Sequence, residues 1–238
     1  MKGAVLILGA SSPIGRGCAE AFGRRGHGLV LAGRDPEELE HVAGDLRLRH
    51  GVDAGLCRFD VCGAEALDVD PDILDGVVCV VGDMGDDPAT LEGGEAARLV
   101  EANFAGPVRA LSPLAAAFAA RGRGFVVGVA SVAGDRGRQS NFVYGSAKGG
   151  FALWLQGLRN RMTPAGVRVL TVKPGFTDTA MTWGRPGVFL AADPKAMGEW
   201  IADALEDGRD IVYLPGFWRW ILLVIRGIPE GVFKQLRL

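Results

Sequence analysis

The stretch AVLILGASSPIGRG, Ala4 to Gly17, decides how the rest of the chain is read. Its first five residues are apolar and include β-branched Val5 and Ile7, which suits a buried strand; the glycine-bearing turn then leads into a helix-like segment. Strand, glycine turn and helix in that order place a pyrophosphate against helix amides. Gly9 is expected to make the tight turn and Gly15 to let helix approach strand. Ser11, Ser12 and the amides of Ile14 and Gly15 would face the phosphate oxygens. Pro13 stands where another glycine would be usual. Proline suits the first turn of a helix, where its missing N–H has no intrahelical partner, so the turn should survive with one phosphate donor fewer.

Working outward, further short apolar runs occur at GLVLA (28–32), GLCRF (55–59), VVCVV (77–81), FVVGVA (125–130), VRVLTV (167–172) and DIVYL (210–214). Helix-like segments separate most of them. Parallel strands need crossovers, so this alternation implies a doubly wound parallel α/β sheet (Rossmann) of about seven strands with helices on both faces. The 238 residues contain no low-complexity linker or internal repeat. One nucleotide-binding domain over 1–238 is expected, with an apolar, amphipathic tail over 216–238 within it. In DPEELEHV, Asp35 should cap a helix, Pro36 should take its first position and Glu38 should reach back to complete a capping box.

With 26 basic and 28 acidic residues the net charge is −2, so there is no general pull toward nucleic acid, and none is expected as a partner. The four cysteines, Cys18, Cys57, Cys62 and Cys79, form no CxxC pair and lie mostly in apolar segments, which suits reduced thiols. No metal site is expected, from these or from the loop acids Asp83, Asp86 and Asp87. The N-terminal apolar run is too short for a signal-peptide core, which points to a cytoplasmic location.

GVASVAGDRGRQSNFVYGSAKGGF carries the chemistry. Tyr144 and Lys148 are four apart on an expected helix and project from one face, and Ser131 ends the preceding strand. A phenol titrates near pH ~10, and a neighbouring ammonium would lower that toward a range useful for exchanging a proton with an alcohol or ketone. After the second strand, GLVLAGRD offers Arg34 where a ribose-binding acid would stand. That favours a 2′-phosphate, hence NADP(H), with NAD(H) left open.

In their order these motifs resemble those of the short-chain dehydrogenase/reductase family, in its one-domain branch. The resemblance covers the whole chain: the glycine turn, Asn103 in EANFAG, Ser131, Tyr144 and Lys148, and PGFTDT after the sixth strand. It implies an NAD(P)(H)-dependent oxidoreductase interconverting a ketone and a secondary alcohol. Tyr144 would protonate the carbonyl oxygen, Ser131 would hold that oxygen, Lys148 would bind the nicotinamide ribose, and Asn103 would support a proton relay through water. It also implies cofactor contacts from Asp60 and Val61 at the adenine, from Val81 and Gly82, and from Pro174, Gly175, Thr177 and Thr179 about the nicotinamide and pyrophosphate. One departure is plain: the family's NNAG reads Cys79, Val80, Val81 and Gly82. An asparagine that bridges strands is missing, which puts local backbone support in question.

A narrower resemblance lies in SVAGDRGRQSNFVYGSAK and the tail DIVYLPGFWRWILLVIRGIPEGVFKQLRL. Both are similar to the keto-reductase subunit of the decaprenylphosphoryl-ribose 2-epimerase pair, which implies a 2-keto sugar on a polyprenyl phosphate. The tail's apolar run is far shorter than the ~20 residues that span a bilayer. With Trp218 and Trp220 flanking Arg219, it would lie along the inner membrane surface, close the substrate pocket or pack on another subunit. Arg136 and Arg138 would meet a substrate phosphate or sit in a solvated loop. MTWGRPGVFLAAD reads as an apolar lid. Gly149, Gly150, Phe151, Trp154 and Leu155 suit a helix at a subunit interface, hence a homodimer or homotetramer. The alternatives are a reductase of soluble ketones and a non-catalytic dinucleotide-sensing protein.

Overall fold

The computed structural model describes residues 3–179, 183 and 189–236. Seven strands, β1 (Ala4–Leu8), β2 (Gly28–Gly33), β3 (Ala54–Arg58), β4 (Leu74–Cys79), β5 (Gly124–Val129), β6 (Val167–Pro174) and β7 (Ile211–Leu214), form one sheet in the order 3-2-1-4-5-6-7. Every neighbouring pair is parallel. The chain runs outward from β1 through β2 to β3, then returns to β4 on the other side. A crevice therefore opens beyond the carboxyl ends of β1 and β4.

Alternate residues of each strand feed two cores. Val5 and Ile7 meet Phe22 of α1 (Pro13–Arg24), Leu39 of α2 (Pro36–His50) and Ile201 of α6 (Pro194–Glu206). Leu6 and Leu8 face Leu111 and Phe118 of α4 (Gly106–Ala120) and Phe151 and Leu155 of α5 (Phe142–Met162). Helices α1 and α6 cross at two glycines: a Cβ on Gly198 would stand 2.1 Å from the Gly17 carbonyl carbon. Between α3 (Gly93–Val100) and α4 the backbone passes through a π-helical turn, Glu101–Ala105, that contains Asn103. After β7 come α7 (Trp218–Gly227) and α8 (Glu230–Phe233).

Several local expectations change. The apolar run 77–81 is displaced: β4 starts at Leu74, which pairs with Ala4, and ends at Cys79, so Val80 and Val81 lie beyond the strand. Asp35 caps α2 by accepting from the amides of Glu37 and Glu38, and Pro36 follows it. Glu38 does not complete the box, because its carboxylate pairs with Arg16 of α1 at 2.5 Å. Phe151 and Leu155 are fully buried beneath the sheet, Gly149 abuts Gly134, and Trp154 stacks on Phe151 at 6.0 Å. These side chains serve the protein's own core, and the outward face of α5 carries Leu153 instead, 69% exposed. Cys18, Cys57 and Cys79 are buried thiols and Cys62 is exposed. Of the expected lid, 181, 182 and 184–188 lie outside the described residues. Among those described, no helix is long and apolar enough to cross a membrane.

Candidate active site

Each site residue is delivered by the end of a strand or the first turns of a helix. Gly9 follows β1 with φ +87°, a conformation that a side chain disfavours. A Cβ on Gly15 would lie 2.2 Å from the Gly9 carbonyl oxygen, so helix and turn touch as expected of a phosphate cradle. Ser12 caps α1: its hydroxyl accepts from the Gly15 amide at 3.0 Å and donates to the Gly9 carbonyl at 2.8 Å. Pro13 opens the helix. The Gly15 amide and the Ser12 hydroxyl are thus bonded to each other within the turn. Ser11 stays beside the turn with its carbonyl accepting from Arg16, and the Ile14 amide precedes the first helical hydrogen bond, Arg16 N–H to the Ser12 carbonyl at 2.8 Å.

Arg34 lies just past β2, exposed and in no ion pair among the described residues. The open guanidinium, the positive-φ glycine and the Gly9–Gly15 contact fit a phosphorylated dinucleotide. Asp60, also exposed, accepts from the Cys62 amide at 3.0 Å, which shapes the turn in which Val61 sits.

Tyr144 stands in the first turn of α5, 7% exposed, with its phenol near the Ser131 side chain. Ser131 follows β5, its backbone extended, and its oxygen also accepts from the Ala133 amide at 3.1 Å. One turn along α5, Lys148 is 3% exposed and its ammonium donates to the carbonyls of Val81 and Val129, each at 3.1 Å. Gly82 makes room for this reach. A Cβ there would lie 2.7 Å from Lys148 Nζ and 2.8 Å from Asn103 Oδ1. Asn103, fully buried, clamps Asp83: Oδ1 accepts from its amide at 3.1 Å, and Nδ2 donates to its carbonyl at 2.6 Å and to Leu99 O at 2.9 Å.

The stretch after β4 is held without an asparagine. Lys148 holds the chain ends after β4 and β5 together, and the Val80 amide still donates to Leu8 O at 3.0 Å.

Electrostatically the pair departs from expectation. Burial pushes the Tyr144 phenol up to about 12; the neighbouring Ser131 side chain opposes this and the Asp83 carboxylate adds to it. Burial also brings Lys148 down to about 8. The ammonium spends its hydrogen bonds on backbone carbonyls, so desolvation outweighs the lowering expected from a neighbouring lysine. Burial would raise the Asp83 carboxyl as well, but Arg98, at 2.5 Å, holds it below its usual range.

Beyond the pair, β6 ends at Pro174 and Gly175 follows, with Trp218 of α7 pressed against it: a Cβ on Gly175 would lie 1.8 Å from the indole nitrogen. Thr177 is 4% exposed and bridges to Ala192, and Thr179 accepts from the Trp183 amide at 3.1 Å. Trp218, Phe176 and Phe189 make an aromatic cluster, with Trp218 and Val132 buried together. The two tail tryptophans part company: Trp218 is 3% exposed and Trp220 is 65% exposed. The helical period separates them: Trp218, Ile221, Leu222 and Ile225 face inward, while Trp220, Leu223 and Val224 face out. Arg136 is likewise occupied, by Glu230 at 2.8 Å, by the Arg226 carbonyl and by the Phe233 ring, so it fastens the tail rather than awaiting a phosphate. Beneath it, Asp135 accepts from Lys173 at 2.5 Å and from the Tyr213 hydroxyl at 2.6 Å.

Residues 3–186 match the model of the short chain dehydrogenase family. An uncharacterized oxidoreductase of Mycobacterium tuberculosis is 31% identical over 240 residues, covering 98% of this chain and 96% of that protein. Another, from Streptomyces coelicolor, is 32% identical over 244 residues, covering 98% and 95%. Among solved structures, the bulky-bulky ketone specific alcohol dehydrogenase of Comamonas testosteroni is similar with TM-score 0.80 and 25% identity over 99% of this chain and 95% of its own. A short-chain dehydrogenase of Sphingobium yanoikuyae, in complex with NADPH, is similar with TM-score 0.75 and 26% identity over 99% and 96%.

The two pKa values set a pH window. Lys148 carries its proton below about pH 8 and sheds it above, whereas Tyr144 stays a phenol up to about pH 12. Carbon NMR of the lysine Cε should show Lys148 titrating near pH 8, and absorbance at 295 nm should show no tyrosinate at pH 10, since Tyr213 is also raised to about 12. Turnover that needs the Lys148 ammonium should fall as pH rises through 8.

Proposed function

The chain belongs to the short-chain dehydrogenase/reductase family, and from that premise we propose that this oxidoreductase reduces a ketone with NADPH at Ser131, Tyr144 and Lys148. One observation carries the assignment: a buried phenol near a serine hydroxyl, one helical turn from a buried lysine. The bound dinucleotide supplies the hydride. Ser131 donates to the substrate carbonyl oxygen and orients it, and Tyr144, protonated throughout the working pH range, transfers its proton to that oxygen as it becomes an alkoxide. Lys148 lies where it can hold the ribose while its charge draws electron density from the phenol. Asn103, locked through Asp83 and Leu99, keeps the π-turn open beside it. Arg34 would meet the 2′-phosphate, and the Ile14 amide, Ser11, Asp60, Val61, Val81, Pro174, Gly175, Thr177 and Thr179 would line the remainder of the cofactor's path.

We infer further that the substrate is lipid-borne, a 2-keto sugar on a polyprenyl phosphate. Two features support this reading. Phe176, Phe189 and Trp218 build an apolar wall next to Val132, which adjoins the catalytic serine. The outer side of α7 shows Trp220, Leu223 and Val224, each at least 62% exposed, with Arg219 and Arg226 along one flank. Such a helix lies in an anionic membrane surface with its tryptophan at headgroup level, on the cytoplasmic side of the inner membrane. Two copies would pair through the outward face of α5, where Leu153 is exposed.

Replacing Tyr144 with Phe should lower kcat for NADPH oxidation with a keto-pentose phospholipid by ~10²-fold or more; undiminished turnover would make the assignment wrong. Arg34→Ala should raise KM for NADPH about tenfold, a loss of ~1.4 kcal/mol, and leave NADH nearly unchanged. Equal weakening of both would remove the 2′-phosphate role. Because Trp218 is structural, deleting the tail would disturb the site, so the membrane contact is tested on the outer face. Combined Trp220→Ser, Leu223→Ser and Val224→Ser should abolish flotation with anionic vesicles while sparing turnover of a short water-soluble ketone; a parent protein that fails to float would overturn the contact.

A further inference from the structure

Four helices open on a residue whose side chain caps them from an extended backbone. Ser12, Asp35, Glu92 and Asp193, with ψ between 105° and 153°, accept from the amide of the third helical residue of α1, α2, α3 and α6. Helix α5 does not follow them. Asn141 stands at its start with ψ 34° and caps nothing, and its Oδ1 is buried without a hydrogen-bond partner among the described residues. The third amide of α5 is that of Tyr144 itself, and it donates instead to the Pro88 carbonyl at 3.2 Å, in the loop between β4 and α3. Asn141 Oδ1 lies beside this first turn, 3.6 Å from where a Cβ on Gly145 would stand. One amide thus has two candidate acceptors, one in use and one idle.

The loop that supplies Pro88 is tied at both ends. Asp83 is clasped by Asn103 and Arg98, and Glu92 caps α3. Between them, residues 84–91 carry turns of their own: the amides of Ala89 and Thr90 donate to Asp87, which shapes the bend that presents the Pro88 carbonyl. Pro88 is buried, whereas Asp86 and Asp87 are exposed and Leu91 is 91% exposed. Gly85, at φ +60°, gives the loop a pivot beside its fixed end. The loop also bears on access. Tyr144 is nearly sealed from solvent, yet a proton donor must touch the ketone oxygen, so part of its cover has to move. The loop lies against that cover, with Pro88 on the Tyr144 amide and the Asp83 charge acting on the phenol.

We propose that residues 84–91 are a gate over Tyr144, closed while the Pro88 carbonyl caps the Tyr144 amide and open when Asn141 Oδ1 takes its place. The inference rests on the reading of Tyr144 as proton donor and adds how that site is opened. A loop that simply lifted away would leave an orphan amide at the helix start. Here Asn141, turned to the extended backbone of the other four caps, accepts from that amide and pairs its own idle oxygen. The exchange therefore costs no hydrogen bond, which keeps the two arrangements close in free energy, as a two-state element requires.

The test reads access to the phenol in the full chain and needs no turnover. Tyr144 and Tyr213 are the two tyrosines of the sequence, so protein labelled with [13Cε]tyrosine gives one signal from the site and one reference. The water-soluble paramagnetic ketone 4-oxo-TEMPO should enhance relaxation of the Tyr144 signal despite its burial. Asn141→Ala removes the cap of the open state and should cut that enhancement about fivefold. It should not lower the melting temperature, since the closed state leaves the side chain unpaired. Asn141→Ser, which can cap, should restore the enhancement, and Asp87→Ala, which loosens the bend at Pro88, should raise it; Tyr213 should respond alike throughout. A Tyr144 signal untouched by the probe, equal enhancement in the parent and Asn141→Ala, or no recovery in Asn141→Ser would overturn the gate. A melting temperature lowered by Asn141→Ala would make Asn141 a structural residue of the closed state and overturn it as well. Undiminished turnover by Tyr144→Phe would count against the ketoreductase reading alone, because the probe response does not depend on chemistry.

Discussion

The rest of the site depends on one buried ammonium. Lys148 reaches across the carboxyl end of the sheet to the carbonyls of Val81 and Val129, just past β4 and at the end of β5, and so joins the segments that carry Gly82 and Ser131. A charge taken out of water is costly unless it is well bonded, and two carbonyls in fixed positions supply that bonding. The requirement propagates outward. Gly82 has no side chain because one would occupy the ammonium's path, and the amide of Asn103 comes up against the same spot. Tyr144, one turn back on α5, is thereby set near Ser131. The phenol remains protonated because it is dry, which suits the proposed transfer of its proton to a ketone oxygen.

A second constraint shapes the substrate side. The α7 helix is held over the turn Val132–Asp135 from both ends, by Trp218 against Gly175 and Val132 at its start and by Arg136 against the Arg226 carbonyl and Glu230 at its finish. Asp135 anchors the floor of this arrangement through Lys173 and Tyr213. One helix thus has two jobs. Its inner face walls the site with aromatic rings, and its outer face leaves a tryptophan and aliphatic side chains in solvent beside arginines. The two faces bring an apolar surface and the approach to the catalytic pair onto a single short element.

Much of this was legible beforehand, and the reasons are local. The apolar runs became strands because alternating burial on both faces demands them, and Asp35–Pro36 and Ser12–Pro13 marked helix starts by side-chain capping and proline geometry. Ser131, Tyr144 and Lys148 stood out because helical spacing alone places the last two on one face. Local pattern does not decide the outcome where a long side chain or a helix face has a choice of partners. Glu38 turned to Arg16 instead of its own cap, Arg136 turned to the tail, and Phe151 and Leu155 turned inward rather than toward a second subunit.

What the sequence determined by itself was the alternation of strand and helix, the glycine turn with its tolerated proline, and the serine, tyrosine and lysine in their order, since each is encoded within a few residues by backbone sterics and periodicity. Tertiary structure decided the rest. Only the meeting of strand ends from distant parts of the chain could show that Lys148 bonds to Val81 and Val129, that its charge leaves the phenol's pKa high, and that Trp218 faces inward while Trp220 faces out. Those outcomes follow from desolvation and from competition among partners far apart in sequence, and neither is written in any local pattern.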